Sequence, residues 1–354
     1  MPKRKTLPKE FDAIVAAGDV AAMEAVMQRC DPNATAHNCY KFNALGYANL
    51  PEVFVRWLID YGTDIGQPDQ FGNTPLIHQA ANRNGAAQIV LYLQLGADIE
   101  QASTFDGGPL HRAADRGYTE NVRALLAHGA NIHAVDRHGR TPLERLLASC
   151  SAAGLPDHMD TIELLLQSGA QITEQARQSV ARIGADLEFR RRGFPPETAA
   201  AIDAAITQLY AQFHVPPAPR RPMHDGVSPI TVPNGSWQSQ YQYLWDFLVP
   251  STGACRTVQG EVIRINGRIS SELLDNGGIH WDRDFHAMLD ALPGYLAMGH
   301  AISAAESQQV AQLQAAIHPQ RPCKTELYAL CALCVSWVCC NPTPIPLNAP
   351  PYHR

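Results

Sequence analysis

The side chains able to do chemistry gather in the last third of the chain. Gln259, Glu261, Arg264, Arg268 and Glu272 are followed by His280, Asp282, Asp284 and His286. Glu261 with Arg264, and Arg268 with Glu272, stand three and four residues apart, so on a helix each pair shares a face and can form an ion pair. A catalytic carboxylate also needs a perturbed environment and a partner across a cleft, and spacing supplies neither. Structural ion pairs around a tryptophan-rich core explain the same residues and are the preferred reading. Asp282-Arg283-Asp284 lacks the further oxygen ligands and the glycine of a calcium loop.

Cysteine offers a second candidate chemistry. Cys331-Ala-Leu-Cys334 precedes Cys339-Cys340, with Cys323 upstream. A structural zinc site usually carries its Cys-x-x-Cys on a turn, well separated from the second ligand pair. Here the pair lies in an apolar helical stretch, where cysteine acts as a small buried hydrophobe. No Gly-x-Ser-x-Gly elbow, phosphate-binding Gly-Lys-Thr loop or metalloprotease histidine pair occurs. No catalytic residue, metal or cofactor is assigned.

Composition narrows the class further. The chain has 354 residues, 45% of them hydrophobic and 18% charged, which suits an array with an appended domain. No run approaches the roughly 18 apolar residues of a membrane span, and Met1-Pro-Lys-Arg-Lys5 leads into no signal core, so the expected compartment is the cytoplasm and no membrane partner is expected. The net charge is -6, and residues 1–193 and 194–354 each carry an excess of three acids. Neither half has the basic footprint of a nucleic-acid binder.

The elements that would hold any site are written as repeats. Phe71-Gly-Asn-Thr-Pro-Leu76 leads to Ala80-Ala81, Gly85 and Leu95-Gly-Ala-Asp-Ile99; Asp106-Gly-Gly-Pro-Leu-His111 leads to Ala113-Ala114, Gly117 and His128-Gly-Ala-Asn-Ile132. Copies recur at Tyr61-Gly-Thr-Asp-Ile65, at Cys30-Asp-Pro-Asn33, and from Arg140-Thr-Pro-Leu143 to Ser168-Gly-Ala-Gln-Ile172. Five repeats result, roughly 7–38, 39–70, 71–104, 105–136 and 137–174. The first two lack Thr-Pro-Leu, and the first suits a cap. Prolines 75, 109 and 142 fit a first helical turn, Gly85 and Gly117 break the first helix of each pair, and Gly96, Gly129 and Gly169 end the second. Leu125 and Leu126, with Leu165 and Leu166, are expected to fill the contacts between repeats. The insertion Cys150–Asp157 maps to a loop.

This segment resembles the ankyrin repeat family over about half of the chain. The resemblance implies an all-α solenoid of helix-turn-helix repeats with short hairpin loops, and a protein-binding role. It also implies that His78 and His111 stabilise turns, because histidine follows Thr-Pro-Leu in the family pattern. Helices at 174–192 and from 195 onward are expected to cap the array to residue 214, before a proline-rich linker at 215–235. A second, mainly helical domain is expected at 236–345 and a tail at 346–354. It holds Trp237, Trp245, Trp281 and Trp337, with helices read at 241–249, 255–274, 281–292, 297–317 and 325–340. Its stretch from Leu244 to Asp282 resembles segments of uncharacterised bacterial proteins, a resemblance that implies no activity.

The loop tips and the open side of each first helix form the concave face of such an array. The candidate partner-binding residues there are Tyr40, Lys41, Tyr47, Asn49, Gln70, Phe71, Gln79, Asn82, Arg83, Thr104, Phe105, Arg112, Asp115, Arg116, His138 and Arg145. Phe71 and Phe105 stand out, since exposed aromatics beside arginine anchor interfaces; packing against neighbouring tips is the other reading. The expected function is non-enzymatic protein binding, in a sharper form a bacterial immunity protein covering a toxin's active site. The alternative is an enzyme or secreted effector with a catalytic second domain, which requires a polar cleft around Glu261, Arg264 and Glu272. The partner's identity and the oligomeric state are not legible.

Overall fold

The structure is a computed structural model that describes residues 3–104, 107–251, 253–318, 323–347 and 350. The described residues fall into two compact units, one running to 187 and resuming over 196–218, the other comprising 188–195 and the chain from 219 onward.

The first unit is the repeat array, and it opens with a feature the repeat pattern did not announce. Strand β1 (Arg4–Thr6) pairs in parallel with β2 (Cys30–Thr35), bracketing the helix pair α1 (Phe11–Ala17) and α2 (Val20–Met27). Asp19 caps α2 by accepting the Ala22 amide at 3.0 Å, and Phe11, Met23 and Met27 are buried. In the second repeat a single 3-10 turn, Ala44–Gly46, replaces the first helix, and α3 (Glu52–Asp60) follows. A β-carbon at Gly46 would lie 2.5 Å from the Phe42 ring, so glycine there lets Phe42 rest on the turn.

The three regular repeats are α4 (Pro75–Ala80) with α5 (Ala86–Gln94), α6 (Pro109–Asp115) with α7 (Thr119–Ala127), and α8 (Pro142–Ser149) with α9 (Leu155–Gln167). Each inner helix opens on proline, whose missing amide has no partner to lose in the first turn. Thr141 and Glu144 add a reciprocal capping box on α8. The inner helices α4, α6 and α8 stack in one row, and α5, α7 and α9 in another. Helices α10 (Glu174–Arg190) and α11 (Pro196–Phe213) follow, with α11 packed on α9.

Two expectations from sequence need correction. Gly85 does not break α4 with a left-handed residue as Gly117 does at φ +67°; it gives room, because a β-carbon would sit 2.0 Å from the Gln79 carbonyl oxygen. Leu125 and Leu165 are fully buried, but Leu126 and Leu166 are only half-buried, one helical step off the packed stripe.

The second unit has α13 (Val258–Leu274) at its centre, against α12 (Trp237–Leu248), α14 (Arg283–Leu296) and α16 (Lys324–Cys340), with α15 (Ala304–Ala316) on α14 and α16. Val258, Val262, Ile265 and Ile269 form the expected apolar stripe. Several boundaries shift for local reasons. Thr257 caps α13 through the Gly260 amide, so that helix starts after 257 rather than at 255. Ser303 and Glu306 form a capping box, so α15 starts at Ala304, and Gly299 turns the preceding chain at φ +62° against Asn341. Helix α16 is not buried all round, because Tyr328, Ser336, Cys339 and Cys340 are exposed. The stretch 219–235, read from its prolines as spacer, packs within this unit: Arg221 donates to the Trp245 carbonyl at 2.8 Å, and the Ile230 amide to that of Pro342 at 2.7 Å. No helix among the described residues is long and apolar enough to cross a membrane.

Two substitutions test this packing. Leu125→Ala should destabilise the array by about 2–5 kcal/mol, because its cavity lies between stacked repeats, whereas Leu126→Ala should cost under about 1.5 kcal/mol; urea midpoints of both variants provide the comparison. Gly267→Ala should destabilise the second unit by about 1–3 kcal/mol. A β-carbon there falls 2.1 Å from the Trp245 ring and 2.8 Å from the Tyr241 hydroxyl. Near-ultraviolet dichroism should register the displaced tryptophan.

Candidate protein-binding face

The hairpin tips are built on buried carboxylates. At the third repeat, Asp69 Oδ1 accepts the amides of Phe71 and Asn73, both at 2.8 Å, while Oδ2 meets His78 Nε2 at 3.0 Å. At the fifth, Asp136 Oδ1 accepts the amides of His138 and Arg140 at 2.8 and 3.0 Å, and Oδ2 accepts the Arg140 guanidinium. Gly72 and Gly139 complete these turns in the left-handed region. In the fourth repeat Ser103 takes the same slot, donating its amide to the Gly107 carbonyl at 3.0 Å.

Histidine at this level ties turns and repeats together. His111, fully buried, accepts the Gly108 amide on Nδ1 at 3.3 Å and places Nε2 3.0 Å from the Arg140 carbonyl of the next repeat. That pairing requires the neutral ring with its proton on Nε2. Burial lowers the pKa of His111, and burial with the nearby Arg112 charge lowers that of His78 against the pull of Asp69. For Asp136, burial works upward, but the Arg140 amide and guanidinium and the His138 amide outweigh it and hold the carboxyl below its ordinary value.

An aromatic chain runs along the amino-terminal end of the face. Phe11, Tyr47 and Phe42 meet edge to face at 5.4 and 5.0 Å, Phe42 meets His78 at 4.8 Å, and Tyr40 meets Phe71 at 5.7 Å. Tyr40 and Phe71 sit on adjacent tips joined by the Gln70 amide, which donates to the Tyr40 carbonyl at 3.1 Å. Both packing and exposure apply to Phe71: it touches its neighbour yet stays 40% exposed, and Tyr40 stays 47% exposed.

The predicted residues divide into those open to solvent and those engaged in stacking. Tyr40, Lys41, Gln70, Phe71, Arg83, Arg116 and His138 are exposed. Tyr47 is half-buried, its hydroxyl donating to Asp12. Asn82 bonds Asn49 at 3.2 Å and offers its carbonyl to the buried Asn121 at 2.7 Å. Asp115 pairs with Arg145 at 3.3 Å, each side chain 15% exposed, and Arg145 also reaches Asp136. Arg112 is half-buried beside His78. Phe105 lies outside the described residues. Gln79 requires correction: it is fully buried, donating to the carbonyls of Leu45 at 3.2 Å and Tyr47 at 2.9 Å in the preceding repeat.

Sequence reasoning missed the polar residues that join repeats. Asn121 donates to the Ala80 and Asn82 carbonyls at the end of α4, and Arg182 to those of Leu147 and Cys150 at the end of α8, at 2.9 and 2.8 Å. One signal was available: Gln79 falls in the slot that Ala113 and Leu146 fill in later repeats. A polar residue at an apolar slot points to a buried bond.

The polar cluster of the second unit is structural in its geometry. Glu261 and Arg264 are buried and paired at 2.5 Å. Gln259 clamps the chain beyond α16, donating to the Asn341 and Thr343 carbonyls and accepting the Ile345 amide. Glu272 accepts the His280 amide at 2.6 Å, Asp282 caps α14, and Trp281 donates to His286 at 3.1 Å. Cys331 and Cys334 are buried one turn apart, and burial pushes the Cys331 thiol up to about 11. Among the described residues, no three histidine, cysteine or acidic side chains converge to hold a metal.

Stacked helix pairs with one open face define a repeat scaffold for protein–protein interaction. The comparisons with known proteins agree: a family description of three ankyrin repeats matches residues 77–176. Ankyrin repeat domain-containing protein 37 of Bos taurus is 31% identical over 116 residues, covering 32% of this chain and 73% of that protein. Its Homo sapiens counterpart is 33% identical over 108 residues, covering 30% and 66%. The putative E3 ubiquitin-protein ligase XBAT34 of Arabidopsis thaliana is 35% identical over 85 residues, 23% of each chain. The chain belongs to the ankyrin repeat family.

The buried histidines give the array a pH response. Their folded-state pKa values lie below 6.5, so their contribution is complete above pH 6.5 and is lost as the pH falls through the lowered values. Asp136 adds a second loss below pH 3.8. Protection factors of the α6 and α8 amides, corrected for intrinsic exchange, should therefore fall as the pH drops below 6.5, and less so in His111→Gln. An identical fall in that variant would contradict the assignment.

Proposed function

We propose that this chain is a non-enzymatic scaffold whose concave ankyrin face holds a protein partner. One observation carries the reading: Tyr40 and Phe71, edge to face on adjacent tips, remain nearly half exposed while their backbones are fixed by hydrogen bonds. Rigid, partly exposed aromatics lose little conformational freedom on binding and contribute large contact area. The competing enzyme reading needs an open polar cleft at Glu261 and Arg264, and the burial of that pair weighs against it. In its sharper form the proposal makes the partner a toxin whose active site the face covers, with this chain as the immunity protein.

A partner that binds the full chain should lose at least about tenfold in affinity to Tyr40→Ala with Phe71→Ala, at unchanged melting temperature. Val53→Ala, on the exposed side of α3, should leave affinity unaltered. Equal affinity for wild type and the aromatic double variant would remove the basis of the proposal. For the toxin form, the absence of binding heat at micromolar concentration with the product of an adjacent toxin gene would refute it.

A further inference from the structure

The array separates charge by face, which the net charge of the chain conceals. On the tips, the inner helices and the turns that end them in repeats two to five, the exposed charged side chains among the described residues are Lys41, Arg83, Arg116 and Arg137, all cationic, with Arg137 donating to His138 Nε2 at 2.9 Å. The acids at that level are engaged within the fold: Asp69 and Asp136 in the tips, Asp115 with Arg145, and Glu144 capping α8. The outer helices carry the opposite sign, with Glu52, Asp60, Glu120, Asp160 and Glu163 exposed, and so do the loops that follow α3 and α5, with Asp64, Asp98 and Glu100 exposed. Their two exposed arginines, Arg56 and Arg123, each pair with a glutamate on the same helix.

We propose that the partner offers an acidic segment, rich in Asp and Glu around one apolar residue that seats on the Tyr40–Phe71 pair. This inference rests on the protein-binding reading. Exposed cations facing a partner contribute orientation, association rate and rejection of basic competitors more than raw affinity. The aromatic pair supplies the anchor they surround. Inner helices stack about 10 Å apart, so Arg83 and Arg116, on adjacent repeats, match carboxylates about three residues apart in an extended segment. A nucleic acid fits less well. Four cations spread over four repeats neutralise few phosphates, the outer face repels a polyanion, and the aromatic pair meets edge to face rather than offering open stacking surfaces.

The test is selection of random peptides of about 12 residues on the full-length chain, on Tyr40→Ala/Phe71→Ala, and on Lys41→Glu/Arg83→Glu/Arg116→Glu/Arg137→Glu. A control, Glu120→Lys/Glu163→Lys, alters the outer helices. Wild type and control should select Asp- and Glu-rich peptides around one aromatic or aliphatic residue. Their binding should weaken about tenfold between roughly 50 and 300 mM salt. The fourfold reversal should instead favour Lys and Arg. Peptides that depend on Tyr40 and Phe71 but show no acidic bias would overturn this inference and leave the protein-binding reading standing. Peptides indifferent to the aromatic double variant would overturn both. Displacement of the peptides by a labelled oligouridylate, bound more tightly and sensitive to the charge reversal, would overturn the choice of a protein partner.

Discussion

No repeat of the array has a core of its own, and the 3-10 turn of the second repeat, α4 and α8 each end in carbonyls that accept from a side chain beyond their own repeat. An unpaired buried carbonyl costs the desolvation that no bond repays, so the neighbouring repeat must bring the donor. Gln79 does this for Leu45 and Tyr47, Asn121 for Ala80 and Asn82, and Arg182 for Leu147 and Cys150. Burial of Leu125 and its equivalents adds the apolar half of the same contact. Stability therefore belongs to interfaces between repeats, and both ends of the array need closing. The strand pair β1–β2 with α1 and α2 provides one cap, and α11 against α9 the other.

Stacking also decides what the concave face can offer. Tyr47, Asn82, Asp115, Arg145 and Gln79 all point toward this face in the repeat pattern, yet their polar groups are engaged with neighbouring repeats. What stays exposed is the Tyr40–Phe71 pair with Gln70, His138 and a set of cations. At two of the tips one side chain gathers two amides: Asn38 holds those of Tyr40 and Lys41, and buried Asp69 those of Phe71 and Asn73.

The regular repeats were legible because their punctuation has a local cause. Proline at 75, 109 and 142 and glycine at 96, 129 and 169 act through backbone geometry that a short window reveals. The exposure of Tyr40, Phe71, Arg83 and Arg116 was legible from their places in the repeat. Gln79 was misread because its polar type suggested the open face, although its slot, filled by Ala113 and Leu146 in later repeats, faces the stack. The β1–β2 pair has no alternating pattern to announce it, with β1 exposed along its length and β2 buried only at Cys30 and Ala34. In the second unit, apolar spacing located the helices, while caps at Thr257 and Ser303 and the turn at Gly299 set their ends.

The central claim, that the open aromatic and cationic strip is where this protein holds another, is tested most directly by photo-crosslinking in the cells that make it. A benzophenone amino acid in place of Phe71 is compared with the same group in place of Val53, which is 61% exposed on α3. The account predicts one protein trapped in defined stoichiometry at position 71 and none at position 53. Equal trapping at both positions, or trapping at position 53 alone, would contradict it.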